Sequence, residues 1–391
     1  MPRVLEPFQL PFAQRGFIEV LVLSVGAGLV GTWIVLRGLA FFSHAVGTAT
    51  FPGLVLADGL GFAAPLGAFG MALLFAAAVG RLAAREREGY DSLTALVLVG
   101  ALAVGVILAS DVFASGSQVE SLLFGSLLLV GGQDIALAAV ASAAALAATL
   151  ALGRRWLATG FDPDAAREMG LRSSLPDALL LGLVALVAVA ALSVVGALLA
   201  TALLVVPAAT TRLWTRRLGS WQLASVVLVA AEGVAGLWLS VQTNAPPGAT
   251  IAVVSGGVFA LAALARVVPR RTVVPAAAGL LVLVALSGCG GAASGSNGQV
   301  TVVATTTQIG DWARAVGGDR VDVSQILRPN TDAHDYEPRP SDVKDTARAK
   351  VVFVNGDRLD HWMNEVVKES GGDPTVVDLS KGLPVRLAGE R

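Results

Sequence analysis

Nine apolar runs, each near the roughly 20 residues that a helix needs to cross a bilayer, fill the first two thirds of this chain. They are residues 16–36, 44–61, 62–81, 93–110, 133–152, 176–195, 198–213, 220–241 and 248–268. In lipid no water satisfies the backbone, so runs of this length fold as helices. The bulk numbers agree: the 391 residues are 54% hydrophobic and only 15% charged, and mean hydropathy is +0.70. That balance fits a multi-pass membrane protein and excludes a wholly soluble one. Many runs are rich in Gly and Ala, which let helices pack closely where lipid supplies no hydrophobic drive. The 176–213 pair is short and also reads as one kinked element. Pro52-Gly53 breaks the 44–61 run. Half-spans of this kind line a path rather than face lipid.

Arginines orient the set. Arg37, Arg81/Arg85/Arg87, Arg154-Arg155, Arg167/Arg172, Arg212/Arg216/Arg217 and Arg266/Arg270/Arg271 all fall on one side when nine spans are drawn. That side is expected to be the cytoplasm of a bacterial plasma membrane. The N-terminus is then outside, against a mild contrary pull from Arg3 and Arg15.

The composition changes at Cys289. Beyond it stand 15 acidic and 12 basic residues, a soluble surface, and all four lysines, Lys344, Lys350, Lys368 and Lys381. No GxxxxGK[ST] occurs, so the chain does not hydrolyse ATP by a P-loop. No HExxH occurs, which removes an intramembrane zinc protease. Any nucleotide-driven work needs a partner. Cys289 is the one cysteine, so no internal disulfide forms. It reads as a buried thiol or as a lipidated residue. Its setting favours lipidation: Arg270-Arg271, the apolar Val273–Leu286, then Leu286-Ser287-Gly288-Cys289 and a Gly/Ser/Ala/Asn tether over Gly290–Gly298. The expected organisation is a transmembrane region over 1–270, an anchor and tether over 271–298, and a partial binding lobe over 299–391.

That last segment alternates strand and helix. Strands are predicted at Val300–Ala304, Val321–Leu327, Val351–Asn355 and Thr375–Asp378, with helices at Ile309–Val316, Ser341–Ala349 and His361–Ser370. This is a parallel α/β lobe, whose ligands bind at the carboxyl ends of its strands. His334 lies in the loop after the second strand and is the candidate metal ligand there. His361, at a helix start, reads as surface.

Two polar features interrupt the apolar region. His44 is the only histidine among the spans, and an ionisable group there is functional by default, against a reading as a packing histidine bonded to a carbonyl. Glu232 and Asp58 are alternative path residues that read as structural. The stretch Asp162-Pro163-Asp164-Ala165-Ala166-Arg167-Glu168-Met169-Gly170-Leu171 is too polar to span. Asp162 can cap a short helix and Gly170 can close it. Such a helix is a surface loop or a lever pushed by a partner.

Phe161–Leu171 resembles the coupling loop of ABC-transporter permeases for zinc, manganese and iron uptake. So do Val195–Thr210, Pro246-Pro247-Gly248-Ala249-Thr250 and Ser43-His44-Ala45 with Phe51-Pro52-Gly53. The resemblance covers about residues 12–268. It implies a polytopic all-α permease without enzymatic activity, working as a homodimer on two cytoplasmic ATPase subunits. It further implies that Asp162–Leu171 contacts the ATPase and that His44 lines the metal path. Where the family often has an acid one turn before that histidine, this chain has Ala40. Separately, Ala333-His334-Asp335-Tyr336-Glu337-Pro338 resembles the first ligand motif of zinc- and manganese-type solute-binding lipoproteins, making His334 the first ligand. The family's later ligands fall beyond residue 391, so the lobe is expected to be about a third of such a domain, with a sheet edge and one face uncovered. The join then reads as a read-through of neighbouring genes, a frameshift or a shortened chain.

Together these readings imply the membrane subunit of an ATP-driven Zn²⁺ (or Mn²⁺/Fe²⁺) importer, with no resident cofactor. A complete binding protein is expected to deliver metal at the outer face, and no nucleic acid is involved. A rival reading is a lipid-anchored surface protein that binds or senses metal and whose spans are mere anchors. The sequence leaves open the metal, the processing of Cys289 and whether the fused lobe folds.

Overall fold

The structure, a computed structural model, describes residues 11–85, 90–113, 127–171, 174–267, 299–329, 331–333, 336–357 and 359–381. Ten helices come first. They are α1 (Pro11–Arg37), α2 (Ala40–Ala49), α3 (Phe51–Leu60), α4 (Ala64–Arg85), α5 (Tyr90–Ile107), α6 (Gly132–Phe161), α7 (Pro163–Glu168), α8 (Ser174–Arg212), α9 (Leu218–Thr243) and α10 (Pro247–Val267). Among the described residues eight helical stretches are long and apolar enough to cross a membrane, and Leu199–Arg212 is a shorter apolar one. The nine expected runs are all present, two of them joined at a kink.

Hydropathy makes each of these segments helical, but packing ranks them. In α1, 72% of the apolar window is buried, against 22% in α5, α6 and α10. Thus α1 is the bundle's axis, while the other three present Leu96, Val99, Val140, Leu150 and Val253 outward, as a lipid-facing surface requires. Around α1 pack α6, α8 and α9. The approach is close because glycines stand at the crossings: a Cβ on Gly31 would lie 2.0 Å from Leu204 O, and one on Gly53 of α3 would lie 2.1 Å from Gly67 O of α4. Large side chains fill what remains. Trp33, Trp156, Trp221, Phe42 and Phe75 are fully buried, and the rings of Phe42 and Phe75 stack 5.8 Å apart.

Breaks fall where the backbone chemistry puts them. One apolar run is split into α2 and α3 at Thr50, with Pro52 in the first turn of α3, where its missing N–H costs nothing. Within α8, Gly196 adopts φ 72°, ψ 168°, a conformation essentially reserved for glycine. Past the expected end of its span at 152, α6 continues to Phe161 and carries Arg154-Arg155 on its last turns.

The C-terminal lobe contains β1 (Val300–Ala304), α11 (Thr307–Gly317), β2 (Val321–Gln325), α12 (Pro340–Arg348), β3 (Val351–Val354), α13 (Trp362–Ser370) and β4 (Thr375–Asp378). The four strands are all parallel, in the order β2-β1-β3-β4. Each expected strand and helix forms, with ends moved by one or two residues. The lobe rests on one end of the helical bundle. There Arg15 of α1 pairs with Glu369 of α13, and Ser341 N donates to Asn244 Oδ1 at 2.9 Å. Asn244 thereby satisfies one of the N–H groups that the first turn of α12 leaves unpaired. Cys289 and the anchor segment around it lie outside the described residues.

Candidate functional site

The break in α8 has a direct consequence. Beyond Gly196 the chain sets out in a new direction, and Thr201 arrives beside α2. There its Oγ1 lies 3.2 Å from His44 Nδ1. Both side chains are partly buried. Neighbouring hydroxyls are otherwise engaged: Ser43 Oγ donates to Ala40 O at 2.8 Å and Thr50 Oγ1 to Gly47 O at 2.6 Å. One imidazole and one hydroxyl make an intramembrane polar point that can hold a divalent cation only loosely. Imidazole suits Zn²⁺ and Fe²⁺, whereas Mn²⁺, like the alkaline earths, prefers oxygen ligands. Loose binding is what passage needs, since an ion must also leave.

Two acids are buried elsewhere among the described residues of the bundle. Glu232 of α9 is 2% exposed, with the Ser255 hydroxyl of α10 near its carboxylate. Fully buried Glu19 of α1 escaped the sequence reading. Its signal was present: an acid inside an apolar run. Asp58, in contrast, is exposed at the end of α3. The structure does not bring His44 and Glu232 onto adjoining helices: α2 packs on α1, α4, α5 and α8, while α9 packs mainly on α1, α8 and α10.

At the bundle end opposite the lobe, the Asp162–Leu171 loop contains the short helix α7. Asp162 caps it, its Oδ1 accepting from Ala165 N at 2.9 Å. Gly170 closes it at φ 75°. Ala166 is buried against the bundle, while Asp162, Glu168 and Met169 are exposed. The loop is therefore pinned on one side and open on the other.

In the lobe, His334 and Asp335 lie outside the described residues. The residues bracketing them are firmly held. Trp362 Nε1 donates to Ala333 O at 2.8 Å, and the Tyr336 ring lies 5.0 Å from that of Trp362. Tyr336 Oη donates to Asp342 Oδ2 at 2.6 Å. Burial, then the Asp342 carboxylate, pushes the Tyr336 phenol up. Glu337 Oε1 is buried without a partner among the described residues, and burial raises its pKa to about 7. Among the described residues no group of three or more His, Cys, Asp or Glu side chains forms a metal site. A recess of about 530 Å³ opens near the carboxyl ends of β3 and β4, lined by Asp357, His361, Asp378 and Lys381. His361 is thus half-buried in a polar recess rather than on an open surface.

Known proteins match the two regions separately. The family model "ABC 3 transport family" matches residues 9–266. The chain belongs to the ABC 3 transport family. The model "Zinc-uptake complex component A periplasmic" matches residues 302–391. A curated relative, "Manganese transport system membrane protein MntC" of Halalkalibacterium halodurans, is 30% identical over 251 residues, which are 64% of this chain and 86% of that protein. "Manganese import system permease protein ScaB" of Streptococcus parasanguinis is 32% identical over 251 residues, 64% of this chain and 89% of that protein. Among solved structures, "PsaBC from Streptococcus pneumoniae in complex with Fab" aligns at TM-score 0.59 and 29% identity, covering 67% of this chain and 94% of that one. The resemblance read from Ser43-His44-Ala45, Phe161–Leu171 and Val195–Thr210 is borne out, as is the fold. As an ABC 3 permease the chain is a multi-pass membrane protein and not an enzyme. Permeases of this class assemble with a separate ATPase, which hydrolyses ATP, and with a binding protein. Divalent metals are the substrate class of the family, and the C-terminal region is similar to a zinc-uptake binding component.

Proposed function

We propose that this permease imports a divalent transition metal, manganese or zinc, as a homodimer driven by two cytoplasmic ATPase subunits. His44, held by Thr201 at the kink of α8, is the path residue in this reading. Metal reaches it from a complete binding protein at the end of the bundle where the lobe sits. The α7 end is cytoplasmic and meets the ATPase through Asp162–Leu171. Cys289, once lipidated, tethers the lobe to the outer leaflet, with His334 as its metal ligand.

One observation carries the reading: the His44–Thr201 contact, made by helices that a membrane-anchor role would leave free to be uniformly apolar. An ionisable imidazole within a membrane span is costly and is retained where it does something. The relatives' names favour manganese, whereas the lobe's family favours zinc. The test is uptake of radiolabelled manganese and zinc by cells carrying the full chain, the ATPase and a complete binding protein. His44→Ala should cut uptake of the transported metal without lowering membrane insertion. Unchanged uptake in that variant removes His44 from the path. Cysteines placed at Glu168 and Trp312 should label from the cytoplasmic and outer sides respectively, and the reverse pattern sinks the orientation.

A further inference from the structure

Arg37 is the last residue of α1, and a cation at a helix C-terminus near the membrane surface has an ordinary explanation in the helix dipole and the interface. Its surroundings do not fit that explanation. The guanidinium is turned inward, with the side chain only 11% exposed. Nη1 donates to Trp156 O at 3.1 Å and to Thr159 Oγ1 at 2.9 Å, both on the last turns of α6. Nη2 donates to the Asp177 carboxylate in the first turn of α8. The end of α6 leads into α7, and the start of α8 follows it. One planar fork therefore grips both chain ends of the Asp162–Leu171 loop and ties them to the bundle's axis.

The grip is reinforced around it. Trp156 Nε1 donates to Pro176 O at 2.7 Å, joining α6 to α8 a second time. One turn up α1 from Arg37, Trp33 meets Trp156 edge to face at 5.3 Å, and its Nε1 donates to Thr149 Oγ1 at 3.2 Å. Room for the arginine stem exists because residue 160 is glycine: a Cβ there would lie 2.6 Å from Arg37 Cδ. From this clamp α1 runs past Gly31, in close contact with Leu204 on the half of α8 that begins near Thr201. A continuous packed route thus joins the loop to the His44–Thr201 pair.

We propose that Arg37 is a positioning residue of the transport cycle: it converts displacement of the Asp162–Leu171 loop into movement of α1 and, through it, of the half-helix facing His44. The proposal rests on the reading of that loop as the ATPase contact. A largely buried ion pair is weak evidence for stability and better suited to fixing register, which is the work a transmission joint needs. Lysine would not replace it, because it lacks the planar fork that reaches Thr159 and Asp177 together.

The test uses the full chain purified with its ATPase partner and reconstituted in vesicles, with manganese chloride and zinc chloride as probes. The readout is metal moved per ATP hydrolysed, beside co-purification of the ATPase. Arg37→Gln should retain the ATPase yet lower that ratio about tenfold, within the range seen for residues on coupling routes. Arg37→Lys should fall between wild type and Gln. Thr159→Val, which removes one acceptor and leaves the ion pair, should lower the ratio by a factor of about two to three. Should Arg37→Gln fail to insert, the Thr159→Val ratio alone decides. Unchanged ratios in the variants that insert overturn the proposal. Glu168→Arg, on the loop itself, separates the two ideas: if it neither loses the ATPase nor alters the ratio, the loop reading fails, and if it does either while the Arg37 and Thr159 variants stay normal, only the clamp fails.

Discussion

Gly196→Ala is the sharpest perturbation available. Gly196 sits at φ 72°, ψ 168° inside an apolar helix, a region that a Cβ makes costly by about 1–3 kcal/mol. Since each 1.4 kcal/mol is about a factor of ten, alanine should disfavour the kinked form by roughly 5- to 150-fold. The chain can relieve the strain by straightening α8 through this point. Thr201 lies five residues further on, about 7.5 Å along a helix at 1.5 Å per residue, so a modest change of direction separates its hydroxyl from His44. The loss should therefore appear in transport more than in folding. The assay is initial metal uptake by vesicles holding the variant and its ATPase, beside thermal unfolding of the detergent-purified protein. Uptake should fall by about fivefold or more, with Tm lowered by a few degrees. Gly61→Ala is the control: Gly61 also has positive φ, at 73°, but it ends α3 away from Thr201, so it should cost stability and spare uptake. Native uptake in Gly196→Ala would refute the reasoning that the kink positions the path.

Thr201→Val should reduce uptake less than His44→Ala, by about two- to fivefold, because it removes a hydrogen bond and keeps the imidazole; equal losses would show that Thr201 does more than hold the ring. Gly53→Leu must push α3 from α4, where a Cβ already meets Gly67 O at 2.1 Å, and should destabilise the detergent-solubilised protein by about 1–3 kcal/mol in thermal unfolding. Lobe stability should fall as pH rises from 4.5, the ordinary value, to about 7, the raised value of Glu337. The native state keeps a proton there that the unfolded chain has released, so the contribution is complete below the lower value and lost above the upper. Urea midpoints of the detergent-held chain should show this slope, and Glu337→Gln should flatten it. Glu369→Lys places like charges at Arg15 and should loosen the lobe, read as faster proteolytic cutting between the two regions, while Arg15→Glu combined with it should restore slow cutting.

Much of this architecture was legible before any coordinates. Bilayer thickness fixes the length of an apolar helix, so hydropathy alone located the spans, and alternating strand and helix patterns located the lobe's elements. Asp162 and Gly170 announced the ends of α7 because capping needs particular side chains at particular positions. Pro52-Gly53 marked the break between α2 and α3, because proline lacks the N–H that would continue a helix. Even the kink was half-visible, since two short apolar runs met at Gly196.

Other features depended on the fold. Sequence could not pair His44 with Thr201, which lie 157 positions apart, nor Arg37 with Asp177, 140 apart. Arg37 read as one more orienting arginine, and its inward turn followed from a glycine at 160 and a carboxylate at 177 that no local pattern links to it. Nor could sequence pair Glu369 with Arg15, which meet only because α13 rests on α1. Local chemistry, acting over one or two turns, determined which segments are helices, strands and caps. The tertiary structure decided which polar groups share a low-dielectric site, because that depends on helix crossings set by small residues far apart in the chain.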